Sequence, residues 1–143
     1  MFQYIRETHM EDDIRILLVD DERLVLRSIE KTLLRAGFDV ETAGDAQSGL
    51  EQFKLAIEEG EPFDLAVLDL NMPNLEGQGD AQAGLQLLSK LLEIRPDLPA
   101  IVLSAFDQVA LAKDAVERGA RAYFVKGREA GLLEIIDSII EQD

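Results

Sequence analysis

Three nearly unbroken apolar runs constrain the fold of this chain more than any other feature of its sequence. They cover residues 14–19, 63–68 and 100–103, and each has the length of a β-strand. Strands that are apolar on both faces are typical of parallel sheets that helices cover on both sides. The runs therefore predict the central strands of an α/β domain.

Two further segments complete the predicted sheet. Residues 38–42 alternate apolar and acidic side chains, which predicts an edge strand with one face in water. The segment 122–125 is short, contains two aromatic residues and would form the strand at the opposite edge. Segments with apolar residues at helical spacing alternate with the strands, at 22–36, 45–59, 84–94, 107–118 and 129–142. This alternation predicts a doubly wound, five-stranded parallel sheet with helices on both faces.

The composition narrows the range of functions. The 143 residues suit a single domain and carry 29 acidic against 14 basic side chains, a net charge of −15. This charge argues against a protein that binds nucleic acid through its phosphates, and the 47% hydrophobic content argues against disorder. Cysteine is absent and His9 is the single histidine, so any metal ion would have to be held by oxygen ligands.

The amino terminus and the hydropathy pattern bear on domain limits and location. Residues 1–13 are polar and aperiodic, and we interpret them as an N-terminal extension or the remnant of a tag. The folded domain is then expected over residues 14–143. The sequence shows neither an apolar stretch long enough to cross a membrane nor a secretory signal, so we expect a cytoplasmic protein.

Polar residues end four of the predicted strands. They are Asp20, Asp69, Ser104 and Lys126, and Asp21 extends the first of them into a pair. The carboxyl ends of parallel strands are where α/β proteins bind their ligands. Taken singly, each residue has an ordinary interpretation. Asp20 or Asp21 could cap the first helix, whereas the hydroxyl and the ammonium could simply face solvent.

Together these residues point to a phosphate-handling site. Three carboxylates about 5 Å apart would repel by about 3 kcal/mol per pair at an effective dielectric constant of 20. A hard divalent cation with oxygen ligands, such as Mg²⁺, would offset this repulsion. Lys126 would then offer a point charge to a phosphoryl oxygen and Ser104 a hydroxyl donor, while one aspartate acts as the nucleophile.

Four motifs occur in order along residues 14–142. They are Val-Asp-Asp-Glu at 19–22, Val-Leu-Asp-Leu-Asn-Met-Pro at 67–73, Leu-Ser-Ala at 103–105 and Ala-Tyr-Phe-Val-Lys at 122–126. In these motifs the sequence resembles the receiver domain of two-component response regulators, the CheY-like family. The resemblance implies a flavodoxin-like sheet with strand order 2-1-3-4-5. It also implies a signalling protein that catalyses only its own phosphorylation and slow dephosphorylation, and is not otherwise an enzyme.

The resemblance also assigns roles to individual residues. Asp69 would take the phosphoryl group from a histidine kinase or a histidine phosphotransfer protein. Mg²⁺ would be held by Asp20, Asp21, Asp69 and the backbone carbonyl of Asn71. Ser104 and Lys126 would bind the phosphoryl oxygens. Tyr123 would be the aromatic switch, moving as Ser104 shifts, and phosphorylation would change a face that binds a downstream protein or a second copy of the chain.

The sequence departs from the family pattern at two places. Lys126 is followed by Gly127 where the family usually has proline, which predicts a less constrained loop. Residues 74–83 are longer than the family's loop at this position, and they are either a flexible surface insertion or an element that docks a partner.

Two other functions are possible for a chain with this pattern. A haloacid-dehalogenase-type phosphatase would need a second aspartate two residues after the nucleophile, where this chain has Asn71. A receiver-like module that binds partners without phosphorylation would be expected to lack some of the acidic residues or the lysine.

The last predicted helix has an apolar face that includes Ile135, Ile136, Ile139 and Ile140. This face either packs in the core or mediates dimerisation.

Overall fold

One parallel sheet contains all five predicted strands. The computed structural model describes residues 13–70, 72–73, 79–80, 83–105, 109–127 and 129–142. The strands are β1 (Arg15–Val19), β2 (Asp39–Ala43), β3 (Leu65–Asp69), β4 (Ala100–Ser104) and β5 (Ala122–Val125). Their order across the sheet is β2-β1-β3-β4-β5, with parallel pairing throughout. The predicted doubly wound sheet and its order are confirmed.

Five helices connect and follow these strands, close to their predicted limits. They are α1 (Arg23–Arg35), α2 (Ala46–Glu58), α3 (Ala83–Ile94), α4 (Val109–Glu117) and α5 (Glu129–Gln142). Asp45 caps α2, since its carboxylate accepts the backbone N–H of Ser48 at 2.7 Å. Residues 107–108, the predicted start of α4, lie outside the described residues.

The core lies in two layers because side chains of a strand alternate between the two faces of the sheet. In β1, Ile16 and Leu18 face the layer built with α1 and α5, while Leu17 and Val19 face the layer built with α2, α3 and α4. All four side chains are fully buried. The nearly unbroken apolar runs thus reflect a sheet covered on both faces.

The apolar face of α5 belongs mainly to the core. Ile136 and Ile139 are buried, and Ile135 and Ile140 are partly buried and pack against the same cluster. Of the two interpretations left open by the sequence, this packing favours the core.

Several predictions concern residues that the structure describes only in part. Met72–Pro73 and Gly79–Asp80 form a short antiparallel pair within the long loop, but residues 74–78 and 81–82 lie outside the described residues, as do residue 71 and residues 1–12. The role of the loop and the N-terminal boundary therefore stay predictions. Within the described residues, no helix is long and apolar enough to cross a membrane.

Candidate functional site

The carboxyl edge of the sheet brings the predicted polar residues together. Asp20 directly follows β1, Asp69 ends β3, Ser104 ends β4 and Lys126 directly follows β5. Asp20, Asp69 and Ser104 are the buried polar residues among those described, each at most 1% exposed. A polar cluster therefore sits at the end of an otherwise apolar sheet.

Three carboxylates form the acidic part of this site. One oxygen from each of Asp20, Asp21 and Asp69 lies within 4.8 Å of the other two. Asp20 is fixed locally, because its Oδ1 accepts the backbone N–H of Glu22 at 2.9 Å. Burial raises the pKa of the Asp20 carboxyl above its ordinary value. Asp20 and Asp21 lie just before the start of α1, and Asp21 is exposed to solvent.

This arrangement fits a hard divalent cation. The donors are carboxylate oxygens, which Mg²⁺ prefers, and the exposed side of the cluster leaves room for the water ligands that Mg²⁺ usually keeps. Asp20, Asp21 and Asp69 are the side chains that would hold the ion. The carbonyl of residue 71, predicted as a further ligand, lies outside the described residues.

Lys126 forms ion pairs with two of these carboxylates and with that of Glu22. Its Nζ lies 3.1 Å from Asp69 Oδ1, 3.2 Å from Asp20 Oδ2 and 2.6 Å from Glu22 Oε1. Burial of the ammonium opposes its charge, but the hydrogen bond to Glu22 and the charges of Asp69 and Asp20 together raise the pKa of Lys126 above its ordinary value. Lys126 is therefore charged at neutral pH.

Ser104 places an unused hydroxyl beside this cluster. Its Oγ is buried and has no hydrogen-bond partner among the described residues. Buried hydroxyls are normally satisfied, so such a group suits a site that receives an acceptor from outside the chain. The backbone carbonyl of Ser104 accepts the N–H of Lys126 at 3.0 Å, which fixes the two residues relative to each other.

Tyr123 lies in β5, three residues before Lys126. It is partly buried, pairs with Val102 across β4 and β5, and packs against the core cluster formed with α2, α3 and α4. Its side chain is thus placed beside the strand that ends in Ser104.

Sequence reasoning missed two residues of the site. The sequence places Glu22 only in a motif and at the start of the first helix, and its contact with Lys126 joins residues 104 positions apart. Gly84 was assigned only to the start of the third helix. An ideal Cβ on Gly84 would lie 2.3 Å from the carbonyl oxygen of Asp69 and 2.5 Å from Cα of Leu70, so only glycine fits without a backbone shift.

The interpretation of Asp20 or Asp21 as the cap of the first helix is wrong. Glu22 is the N-cap residue of α1, and its side chain makes no capping hydrogen bond. Asp20 instead accepts the N–H of Glu22 at 2.9 Å, outside the helix. The start of α1 therefore leaves the carboxylates of Asp20 and Asp21 directed to the site.

Comparison with known proteins agrees with this geometry. The sequence profile of the response regulator receiver domain matches residues 16–137. The chain belongs to this family. Chemotaxis protein CheY of Treponema pallidum (strain Nichols) is 33% identical to this receiver domain over 129 residues, which cover 89% of the chain and 83% of CheY.

Other relatives are much longer than this receiver domain. Two-component response regulator ORR24 of Oryza sativa subsp. indica is 34% identical over 113 residues, which cover 79% of the chain but 16% of ORR24. The probable transcriptional regulator ycf27 of Cyanophora paradoxa is 38% identical over 112 residues, which cover 41% of that protein. The chain therefore spans less than half of these two relatives.

Solved structures show the same fold. A receiver domain from Clostridium thermocellum has a TM-score of 0.76 at 27% identity, and the match covers 90% of this chain and 95% of that one. A chain of the CheX-CheY-BeF3-Mg+2 complex from Borrelia burgdorferi also has a TM-score of 0.76, at 25% identity, and the match covers 89% of each chain.

Gly127 takes a backbone conformation that the proline usual in this family could not adopt. Its φ is 101°, in the left-handed region that favours glycine, whereas the proline ring holds φ near −65°. Glycine at this position therefore matches the backbone conformation that follows Lys126.

Proposed function

We propose that this receiver domain takes a phosphoryl group from a phosphohistidine of a histidine kinase or a histidine phosphotransfer protein onto Asp69. The observation that carries the proposal is the position of Asp69: its carboxylate is almost fully buried, lies 3.1 Å from the Lys126 ammonium and clusters with Asp20 and Asp21. Membership of the receiver family supports a histidine-bound donor.

The transfer forms one bond and breaks one bond. An oxygen of the Asp69 carboxylate bonds to phosphorus while the phosphorus–nitrogen bond to the donor histidine breaks, and the imidazole leaves with the electron pair. Bound Mg²⁺ would supply positive charge to the carboxylates and the phosphoryl oxygens. Lys126 and Ser104 offer an ammonium and a free hydroxyl to those oxygens.

The same contacts provide a switch. A ligand shifts a conformational equilibrium only by binding one state better than the other. We propose that Ser104 and Lys126 bind the phosphoryl group better in an active state, that Tyr123 moves with Ser104, and that the face of α4, β5 and α5 then changes its affinity for a downstream protein or a second copy of the chain. A change in solution mass on phosphorylation would reveal the second copy.

The site does not favour the alternative of a module that works without phosphorylation. The acidic residues, the lysine and the hydroxyl are all present and lie together, and the hydroxyl has no partner of its own among the described residues. Nothing in a purely partner-binding role requires this combination.

Intact-mass spectrometry after incubation with acetyl phosphate tests the proposal. We expect one added phosphoryl group in the wild type with Mg²⁺ and none in Asp69→Asn. Asp137→Asn, a matched change of an exposed residue on α5, should be phosphorylated like the wild type. A folded wild type that gains no phosphoryl group, or an Asp69→Asn variant that gains one, would overturn the assignment.

We propose that residues 14–143 form the functional unit and that residues 1–13 are an extension or tag remnant outside it. A chain beginning at residue 14 should be phosphorylated at the rate of the full chain. A clearly lower rate in a folded truncated chain would show that the extension contributes to the site.

A further inference from the structure

The side chain of Glu22 makes a contact that neither the helix nor the metal cluster requires. Glu22 is the N-cap residue of α1, yet its carboxylate makes no capping hydrogen bond. It accepts instead from Lys126 Nζ at 2.6 Å, the shortest of the three contacts of that ammonium. Since serine, threonine, aspartate and asparagine are the usual N-cap residues, glutamate at this position calls for a different explanation.

Three carboxylates crowd the ammonium of Lys126, although its contact with Asp20 Oδ2 is an ion pair and not a hydrogen bond. An ammonium has three N–H donors, and three carboxylates, those of Asp20, Glu22 and Asp69, surround this one. Binding a phosphoryl oxygen on Asp69 would draw the ammonium away from the hydrogen bond that it donates to Glu22.

Burial decides which contact yields. The side chain of Asp20 is 0% exposed, so removing its counter-charge would leave a buried carboxylate without compensation, whereas phosphorylation converts the Asp69 carboxylate into the acyl phosphate that Lys126 would bind. The side chain of Glu22 is 60% exposed, so water can replace the ammonium at that carboxylate. Glu22 is the partner that Lys126 can leave at least cost.

We infer that Glu22 is a positioning residue that holds Lys126 in the unphosphorylated state and competes with the phosphoryl group for it. A contact made in one state and lost in the other shifts the equilibrium toward the state that has it. Glu22 therefore lowers the affinity of the site for a phosphoryl group, and it does so through Lys126 without touching the reacting atoms. The inference rests on the proposed phosphorylation of Asp69.

Equilibrium binding of beryllofluoride, a phosphoryl mimic, tests this inference without relying on reaction rates. Backbone amide NMR spectra of the Mg²⁺-saturated protein, titrated with beryllofluoride, give the affinity directly. We compare the wild type with Glu22→Gln, Glu22→Asp and Glu51→Gln. Glu51→Gln removes the same charge from an exposed position on α2, and circular dichroism confirms that each variant is folded.

The aspartate variant separates the ion pair from the charge. It keeps the negative charge but shortens the side chain by one carbon, about 1.5 Å, and its carboxylate is suited to cap α1. We expect Glu22→Gln and Glu22→Asp to bind beryllofluoride about two- to fivefold more tightly than the wild type, the range of a partly exposed ion pair. Glu51→Gln should match the wild type.

Two results would overturn the inference. Wild-type affinity in both Glu22 variants would show that the contact has no effect on the site, and wild-type affinity in Glu22→Asp alone would show that only the charge matters. The affinity for Mg²⁺ without beryllofluoride provides a second readout: Glu22→Gln should not bind Mg²⁺ more tightly, because it removes a negative charge near the ion. A variant that merely loosens α1 would bind both ligands more weakly.

Failure of the proposed function gives a different result. If Asp69 is not a phosphoacceptor site, the wild type itself will neither bind beryllofluoride nor gain a phosphoryl group from acetyl phosphate. Binding by the wild type that is unchanged by the Glu22 substitutions would reject the role of Glu22 alone.

Discussion

The Lys126 ammonium nitrogen lies 3.1 Å from Asp69 Oδ1 and thereby joins the end of β5 to the end of β3. Strand β4 separates these two strands in the sheet, so the ion pair spans the position of Ser104. The ammonium is thus in contact with the carboxylate that we propose as the phosphoryl acceptor.

Replacing Lys126 with methionine should destabilise the metal-free protein and increase its response to Mg²⁺. The substitution keeps most of the aliphatic stem but leaves the buried carboxylates of Asp20 and Asp69 without their counter-charge. Breaking one side of a buried ion pair costs about 3 kcal/mol of unfolding free energy. Urea unfolding with and without Mg²⁺ measures both effects, and an equal Mg²⁺-induced gain in the two proteins would contradict the expectation.

Substitutions of Asp21 should weaken Mg²⁺ binding in a graded order. Asp21→Asn keeps an oxygen ligand but loses the charge, and Asp21→Ala loses both. We expect the alanine variant to bind at least about tenfold more weakly than the wild type, a loss of about 1.4 kcal/mol, with the asparagine variant between them. Because Asp21 is exposed, both variants should fold. Isothermal titration calorimetry measures the affinities, and equal values in all three proteins would remove Asp21 from the metal site.

Gly84→Ala should distort the site from the backbone side. The added Cβ would lie 2.3 Å from the carbonyl oxygen of Asp69, and neither of the two nearest atoms belongs to a flexible side chain. We expect a loss of about 1–3 kcal/mol in unfolding free energy together with slower phosphorylation. Gly44→Ala is the matched control, because a Cβ there meets nothing within 4 Å. Similar stabilities for the two variants would show that the backbone at Asp69 can move freely.

Asp45 should stabilise α2 in a pH-dependent way. Its hydrogen bonds from Ser48 lower the pKa of the Asp45 carboxyl, so the stabilisation is present above the unfolded-state pKa and is lost as the pH falls through the lower folded-state pKa. At pH 7, Asp45→Ala should cost about 1 kcal/mol, whereas Asp45→Asn should cost much less because asparagine also caps helices. Urea unfolding between about pH 7 and pH 3 checks this. If the difference in unfolding free energy between the wild type and Asp45→Asn does not become smaller at low pH, the expected pH dependence is wrong.

The strands and helices could be predicted because their signals are local. Apolar runs and helical periodicity predicted the number, type and order of elements. The structure adds that Gly37, Gly60 and Gly119 follow helices with positive φ. The limits were less accurate. The third strand was predicted over 63–68 but begins at Leu65, because Phe63 is buried through stacking on Phe53 without belonging to the sheet. An apolar run in a sequence does not show whether a buried residue belongs to a strand or packs beside it.

The acidic and basic residues of the site were also predictable, because each lies at the end of an apolar strand and the carboxyl ends of parallel strands share one edge of a sheet. The sequence by itself thus determined which chemical groups meet at that edge.

Only the tertiary structure decided how these groups pair. Glu22 and Lys126 are 104 residues apart, and their contact depends on how the start of α1 and the end of β5 are placed around the buried strands. The fit of Gly84 against the backbone at Asp69 likewise depends on the packing of α3 on β3. Spacing along a chain does not encode distances of this kind, since they are set by the register of the strands and the close packing of the layers between them.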